Sequence, residues 1–298
     1  MKYMKFVITV ILSFLLCGCA SAGAPAQIAA TTLPVWEFTS RLCAGTPVTV
    51  TRLITEQVSC LHDYSLNVRQ VKAAEAAETI VISGAGLEDF LDDLLANASI
   101  IDASEGIPLL CGEEQEEEHH HEEDHHHEED HHHEEDPHIW LAPENAKVMA
   151  QNICAGLSVQ YPQYARIFEG NLQTLLQDLD TLAQYGEDTL SDLKCRKLIT
   201  FHDGFSYFAD AFDLTIVKAV EEESGSEASA RDLIELITLV EENALPAVFT
   251  ETSGSSSAAN IISRETGCGV CSLDMAMSGS SYFDAMYHNI DTIKEALG

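Results

Sequence analysis

The sequence predicts an α/β protein of two parallel-sheet lobes joined by one long rigid helix. Three observations carry that expectation. The chain has 298 residues, 46% of them hydrophobic, enough to fill about two domain cores. Short apolar runs alternate with helical periodicities twice over, the pattern of parallel sheets covered by helices. Between the two series, residues 162–193 read as one amphipathic helix, with Leu172, Leu175, Leu176, Leu179 and Leu182 at three- and four-residue spacings. About 25 helical residues at 1.5 Å each reach nearly 40 Å, long enough to connect two lobes. Gly186 lies inside that stretch at a cost of ~1 kcal/mol, so a bend is expected there.

The first series begins with the apolar run Ile28–Thr32, a helix over Val35–Cys43, and the alternating strand Val48–Ile54. A helix over Asn67–Ala77 then feeds the strand Thr79–Ser83, and Gly84-Ala-Gly86 turns the chain into a helix over Leu87–Asn97. Pro143–Leu157 is helical, with Pro143 at a first-turn position and Glu144 where the helix dipole favours an acid. After the long helix come strand Lys197–Phe201, helix Gly204–Phe212, strand Thr215–Val220 and helix Ser229–Asn243. Strand Ala247–Thr250, helix Ser256–Thr266, strand Val270–Leu273 and a last helix near Tyr282–Leu297 complete the series.

The chain opens on an address. Lys2 and Lys5 precede an apolar run from Phe6 to Leu16, too short to span a bilayer comfortably but suited to a signal-peptide core. Leu16-Cys17-Gly18-Cys19 resembles the bacterial lipobox, which implies cleavage after Gly18 and a lipid thioether on Cys19. The expected organisation is therefore a signal peptide over 1–18 and a lipidated tether over 19–27. An N-terminal lobe over 28–160, a linking helix over 161–193 and a C-terminal lobe over 194–298 follow. Such a chain works outside the cytoplasmic membrane, anchored to the bilayer through Cys19. Seven cysteines remain beyond the leader, an odd number that leaves at least one unpaired. Cys268-Gly-Val-Cys271 is a single CxxC before a strand, read as structural thiols or a disulfide rather than a zinc ribbon or redox site.

Charge singles out one segment. The formal net charge is −34, which argues against nucleic acid as a partner. Residues 113–136 hold 14 acids and no base, so the rest of the chain carries about −20. Three copies of His-His-His-Glu-Glu-Asp fill residues 119–136, with nine of the thirteen histidines: His119, His120, His121, His125, His126, His127, His131, His132 and His133. A stretch with no apolar residue and strong self-repulsion is expected to be a disordered loop over 113–135. A solvated acidic spacer would account for the acids but not for nine imidazoles, which suit zinc, copper and nickel. Several weak, exchangeable metal sites are the expectation.

Four histidines lie elsewhere: His62, His138, His202 and His288. The first three stand before helices in loop segments, and His202 follows the strand Lys197–Phe201 directly. In parallel sheets ligands gather beyond the carboxyl ends of the strands. Asp274 and Glu251 each end a strand and belong to the same crevice. Three neutral imidazoles and one carboxylate make a tetrahedral site with Zn²⁺, so His62, His138, His202 and Asp274 are the candidate ligands. Glu251 is the candidate outer acceptor for His202 or His138, or an alternative ligand. His288 sits in the last helix and reads as structural, and Trp140 as core packing behind His138.

These residues identify a resemblance. From roughly Ile28 to Gly298 the chain resembles the zinc-specific solute-binding proteins of bacterial metal-uptake ABC transporters, the cluster A-I metal-binding proteins. The segments that carry it are His62-Asp-Tyr with Gly84-Ala-Gly-Leu-Glu88, then Asp136-Pro-His-Ile-Trp-Leu-Ala-Pro143. In the second half they are Thr200-Phe-His-Asp203, Phe249-Thr-Glu251 and Leu273-Asp274. The resemblance implies a metal site in the cleft between two α/β lobes, with ligands at His62, His138, His202 and Asp274. It implies a receptor without enzymatic activity, a monomer, with Zn²⁺ as transported ligand and an ABC permease as partner. The usual proline after the motif glutamate is Thr252 here, and Ser59-Cys60-Leu61 replaces a proline-containing lead-in. A manganese or iron receptor of the same class, a zinc hydrolase using Glu251 as base, and an adhesin are the competing readings.

Overall fold

A computed structural model describes residues 27–58, 61, 64–91, 98–110, 135–220 and 229–298. The leader with Cys19, His62 and the nine insert histidines lie outside the described residues.

Four parallel strands form the first sheet: β1 (Ile28–Ala30), β2 (Val50–Arg52), β3 (Thr79–Ile82) and β4 (Ser99–Asp102), in the order β2-β1-β3-β4. The second sheet has β5 (Lys197–Thr200), β6 (Thr215–Ala219), β7 (Ala247–Glu251) and β8 (Gly269–Leu273), in the order β6-β5-β7-β8. The two halves thus share one topology, and in each the strand order reverses beside the first strand. Crevices for ligands open at such reversals, beyond the carboxyl ends of the strands.

Helices follow the sequence pattern closely. α1 (Leu33–Leu42) has Pro34 in its first turn, and α2 (Val68–Ala76) is opened by an Asn67–Gln70 capping box. α3 (Pro143–Gln160) and α4 (Ala165–Leu190) follow, with a 3₁₀ turn over Pro162–Tyr164 between them. The second lobe adds α5 (Ser206–Ala211), α6 (Ala230–Glu242), α7 (Ser257–Thr266) and α8 (Tyr282–Leu297). Among the described residues no helix is long and apolar enough to cross a membrane.

Three elements depart from the sequence-based expectation. Strand β4 was not foreseen: it has four residues, and its Ile100 side faces solvent while Ile101 is buried, so its apolar signal is slight. Where a helix was expected from Leu87, residues Asp89–Leu91 form a 3₁₀ turn, and 92–97 lie outside the described residues. α4 runs unbroken through Gly186. A Cβ at Gly186 would lie 2.1 Å from Phe212 Cε1, so the missing side chain makes room for that ring.

α4 is the spine of the molecule. Its buried stripe of Phe168, Leu175, Leu179, Leu182 and Leu190 packs into one hydrophobic core that runs through both lobes. Arg41 of α1 and Lys147 of α3 pair with Asp178 and Asp180 on its outer face. A smaller core, including Ile199, Leu236, Val248 and Ile262, lies under α6 and α7.

The segment Met275–Tyr282 straps the second lobe to the first. Met275 C=O accepts from Trp140 Nε1 (2.7 Å), Met277 C=O from Leu33 N–H (3.2 Å), and Gly279 C=O from Arg52 (2.8 Å). Tyr282 donates its N–H to Glu37 (2.6 Å) and its buried hydroxyl to Trp140 C=O (2.8 Å). A continuous core plus these bonds ties the lobes into one body, because opening them would strand several buried polar groups.

Cys43, Cys154, Cys195, Cys268 and Cys271 are free thiols, so the CxxC pair is not bridged, while Cys60 and Cys111 lie outside the described residues. Burial pushes the Cys43 thiol up to about 12, the behaviour of an inert structural cysteine.

Candidate metal centre

Two of the residues that bear on the site, His202 and Glu251, stand at the carboxyl ends of strands. His202 lies two residues beyond β5, in the turn that leads to α5. Glu251 is the last residue of β7, the strand beside β5. His138 comes from the other lobe, just before the 3₁₀ turn Ile139–Leu141, whose Trp140 is fully buried and bonded into the strap. Gly204 lets the two histidines approach. A Cβ there would sit 2.7 Å from His202 Cδ2, 2.8 Å from His138 Nδ1 and 2.7 Å from Met275 Cε.

The two imidazoles meet edge to face, with ring centroids 5.1 Å apart and an interplanar angle of 85°. Their Nε2 atoms face each other at 3.4 Å. Each ring turns its other nitrogen to a buried carboxylate. Asp136 Oδ1 lies 2.8 Å from His138 Nδ1 and also accepts the His138 backbone N–H at 2.9 Å. Glu251 Oε1 lies 3.3 Å from His202 Nδ1. A hydrogen on Nδ1 of each ring, on the side of its carboxylate, would leave the Nε2 lone pairs of both rings facing each other across the seam.

Two Nε2 lone pairs at 3.4 Å repel, and either a hydrogen on one of them or a cation between them resolves the contact. Two Zn–N bonds of ~2.05 Å at a tetrahedral angle would place their nitrogens about 3.3–3.4 Å apart, so the pair matches one edge of a zinc tetrahedron. Carboxylates behind the ligating imidazoles are what such sites require, since they fix the tautomer and raise ligand basicity.

Of the four candidate ligands, the structure brings His138 and His202 together. His62 lies outside the described residues. Asp274 follows β8 and is half-buried, with Oδ1 accepting the Ala276 N–H at 2.7 Å. Its backbone is clasped by fully buried Asn289 of α8, which accepts from Asp274 N–H and donates to Asp274 C=O, both at 2.7 Å. Among the described residues no group of three or more His, Cys, Asp and Glu side chains gathers to hold a metal. Glu251 pairs with His202 rather than His138. His288 Nε2 lies 3.2 Å from Ser272 C=O on the second lobe, in keeping with the structural reading.

Sequence reasoning gave Asp136 and Asn289 no role. The spacing of Asp136 to His138, with proline between, was the available signal for the first. Asn289 was legible as a lone amide on an apolar stripe with Met286, Ile290 and Ile293.

The first lobe carries a carboxylate at the matching strand reversal. Glu88 is buried and accepts from Thr31 Oγ1 (2.6 Å) and the N–H groups of Ser83 (2.8 Å) and Gly84 (3.0 Å). Burial pushes its carboxyl up to about 7 against the pull of those three donors. It braces the ends of β1 and β3, as Glu251 braces His202.

Fold and site together define a two-lobed α/β binding protein with paired histidines facing each other at the seam. Over residues 28–296 the chain matches the family described as zinc-uptake complex component A, periplasmic, and it belongs to that family. It is similar to the zinc-binding lipoprotein AdcA of Streptococcus pneumoniae, with 29% identity over 319 residues covering 99% of this chain and 61% of the relative. The chain thus spans about three-fifths of that protein's length. It is also similar to the high-affinity zinc uptake system protein ZnuA of Bacillus subtilis, with 28% identity covering 93% of this chain and 89% of the relative. Among solved structures it resembles the Zn(II)-bound ZnuA-like domain of Streptococcus pneumoniae AdcA, with a TM-score of 0.74 and 26% identity, covering 91% of this chain and 98% of that one.

Proposed function

We propose that this chain is an extracytoplasmic receptor that captures Zn²⁺ and delivers it to the permease of an ABC importer, performing no chemistry on the metal. The observation that carries the proposal is the facing pair of Nε2 atoms, 3.4 Å apart with a carboxylate behind each ring. Family membership and relatives named for zinc binding and zinc uptake support it. His62, His138, His202 and Asp274 are the proposed ligands, and Asp136 and Glu251 hold the rings. Three nitrogen donors favour zinc over manganese. The position of Glu251 against a ring nitrogen of His202 supports a receptor over a hydrolase, since that carboxylate is already engaged.

In the same reading Cys19 bears the lipid that holds the receptor at the membrane. Residues 28–160 and 194–298 act as the lobes, linked by 161–193. The insert collects metal at weaker sites through its nine histidines. Elemental analysis, with competitive titration of the full chain against zinc, manganese and a chelator, tests the proposal. One tightly held zinc is expected, with manganese displaced. Preferential retention of manganese would contradict it.

A further inference from the structure

Tyr207 is a buried residue of α5, in the second lobe, five residues beyond His202. Its hydroxyl accepts the Leu110 N–H at 2.9 Å and lies 3.0 Å from Asp136 C=O, to which it donates. Leu110 and Asp136 are themselves joined, with Asp136 N–H donating to Leu110 C=O at 2.9 Å. These two residues flank the acidic, histidine-rich insert in the chain. One hydroxyl of the second lobe therefore holds both chain segments that flank the insert in the sequence.

The grip also bears on the site. Asp136 holds His138 twice, through the ring Nδ1 and the backbone N–H. Tyr207 fixes the Asp136 backbone relative to α5, and the turn into α5 carries His202. The separation of the two imidazoles is thus set by a short path: His202, α5, the Tyr207 hydroxyl, Asp136, His138.

We infer that Tyr207 is a positioning residue for the metal pair, one that locks the base of the insert and the His138 segment onto the second lobe. It touches no metal and acts through Asp136. The inference rests on the proposed zinc function and adds to it the device that sets the spacing. A hydrogen bond between buried groups has no solvent to replace it when one partner is removed, so the loss falls on the geometry it maintained.

Tyr207→Phe removes only the hydroxyl and keeps the ring in the core. In the full chain, with an excess of chelator to silence weaker sites, the variant should release zinc about tenfold faster than the wild type. Its Co²⁺-loaded form should show a changed d–d spectrum. Combined with Asp136→Asn, the two losses should fall well short of multiplying, because both act on one ring. Zinc release and cobalt spectrum indistinguishable from wild type, with only the metal-free melting temperature lowered, would reduce Tyr207 to a packing role and overturn the inference. Fully multiplicative losses would overturn the path through Asp136. A wild-type chain with no tight zinc in this assay would sink the proposed function as well, which separates the two failures.

Discussion

His138 and His202 point their Nε2 atoms at each other across the seam between the lobes, 3.4 Å apart, while a carboxylate stands behind each Nδ1. Neither ring could hold that pose alone. Asp136 fixes the first from its own segment, Glu251 fixes the second from the adjacent strand, and Gly204 leaves the space in which they meet. With Nδ1–H on both rings the two facing nitrogens are acceptors, and a cation between them relieves their repulsion.

Neutralising either carboxylate should weaken zinc binding while leaving the fold intact. Asp136→Asn and Glu251→Gln are each expected to lower affinity by about 10–100-fold, the usual consequence of removing an outer partner of a ligating histidine. Chelator competition measures it. Because both carboxylates act on one pair of touching rings, the double variant should lose less than the product of the single losses. Unchanged affinity in both single variants would mean the rings are oriented by something else.

A single methyl group placed between the rings should damage the site more than the fold. Gly204→Ala puts a Cβ within 2.7–2.8 Å of His202, His138 and Met275. The strain is of order 1–3 kcal/mol in stability. The Met275 end can move, but both histidines are held, so zinc affinity is expected to fall by about tenfold or more. Thermal melting with and without zinc separates the two effects: the zinc-induced rise in melting temperature should shrink.

Glu88 predicts a pH dependence in the metal-free protein. Its folded carboxyl is raised to about 7 by burial, above its ordinary value of 4.5, so the folded state holds the proton more strongly than the unfolded chain. Its contribution to stability is complete below pH 4.5 and is lost progressively as pH rises towards 7. By linkage the span amounts to about 3 kcal/mol. Glu88→Gln removes that slope, so its stability deficit relative to wild type should shrink between pH 5 and 7.5 in denaturant titrations. A deficit that grows over this range would show that Glu88 is held as a carboxylate.

Much of this was readable in the chain, for identifiable reasons. Strands such as β3 and β7 are short apolar runs bounded by turns, and α6 announces itself by the Ser229–Asp232 capping box. β4 was not readable, since only Ile101 of its four residues faces the core fully. Gly186 signalled a bend by propensity, but the helix continues because Phe212 needs the space. Histidine positions at loop junctions pointed to the facing pair His138 and His202. What the chain did not expose were partners distant in sequence: Tyr207 reaching Leu110, and Asn289 clasping Asp274. Such pairings depend on how the lobes pack, and no local pattern encodes them.

The central claim is that His138 and His202 share one zinc through Nε2 with Nδ1 protonated. A long-range ¹⁵N–¹H spectrum of histidine-labelled protein, metal-free and then with one equivalent of Zn²⁺, tests it most directly, with His138→Ala and His202→Ala supplying the assignments. The expected result is that both rings are Nδ1–H tautomers and that both Nε2 resonances shift to the metal-bound range together. Zinc that leaves these two resonances unmoved, or that is held on Nδ1, would contradict the account.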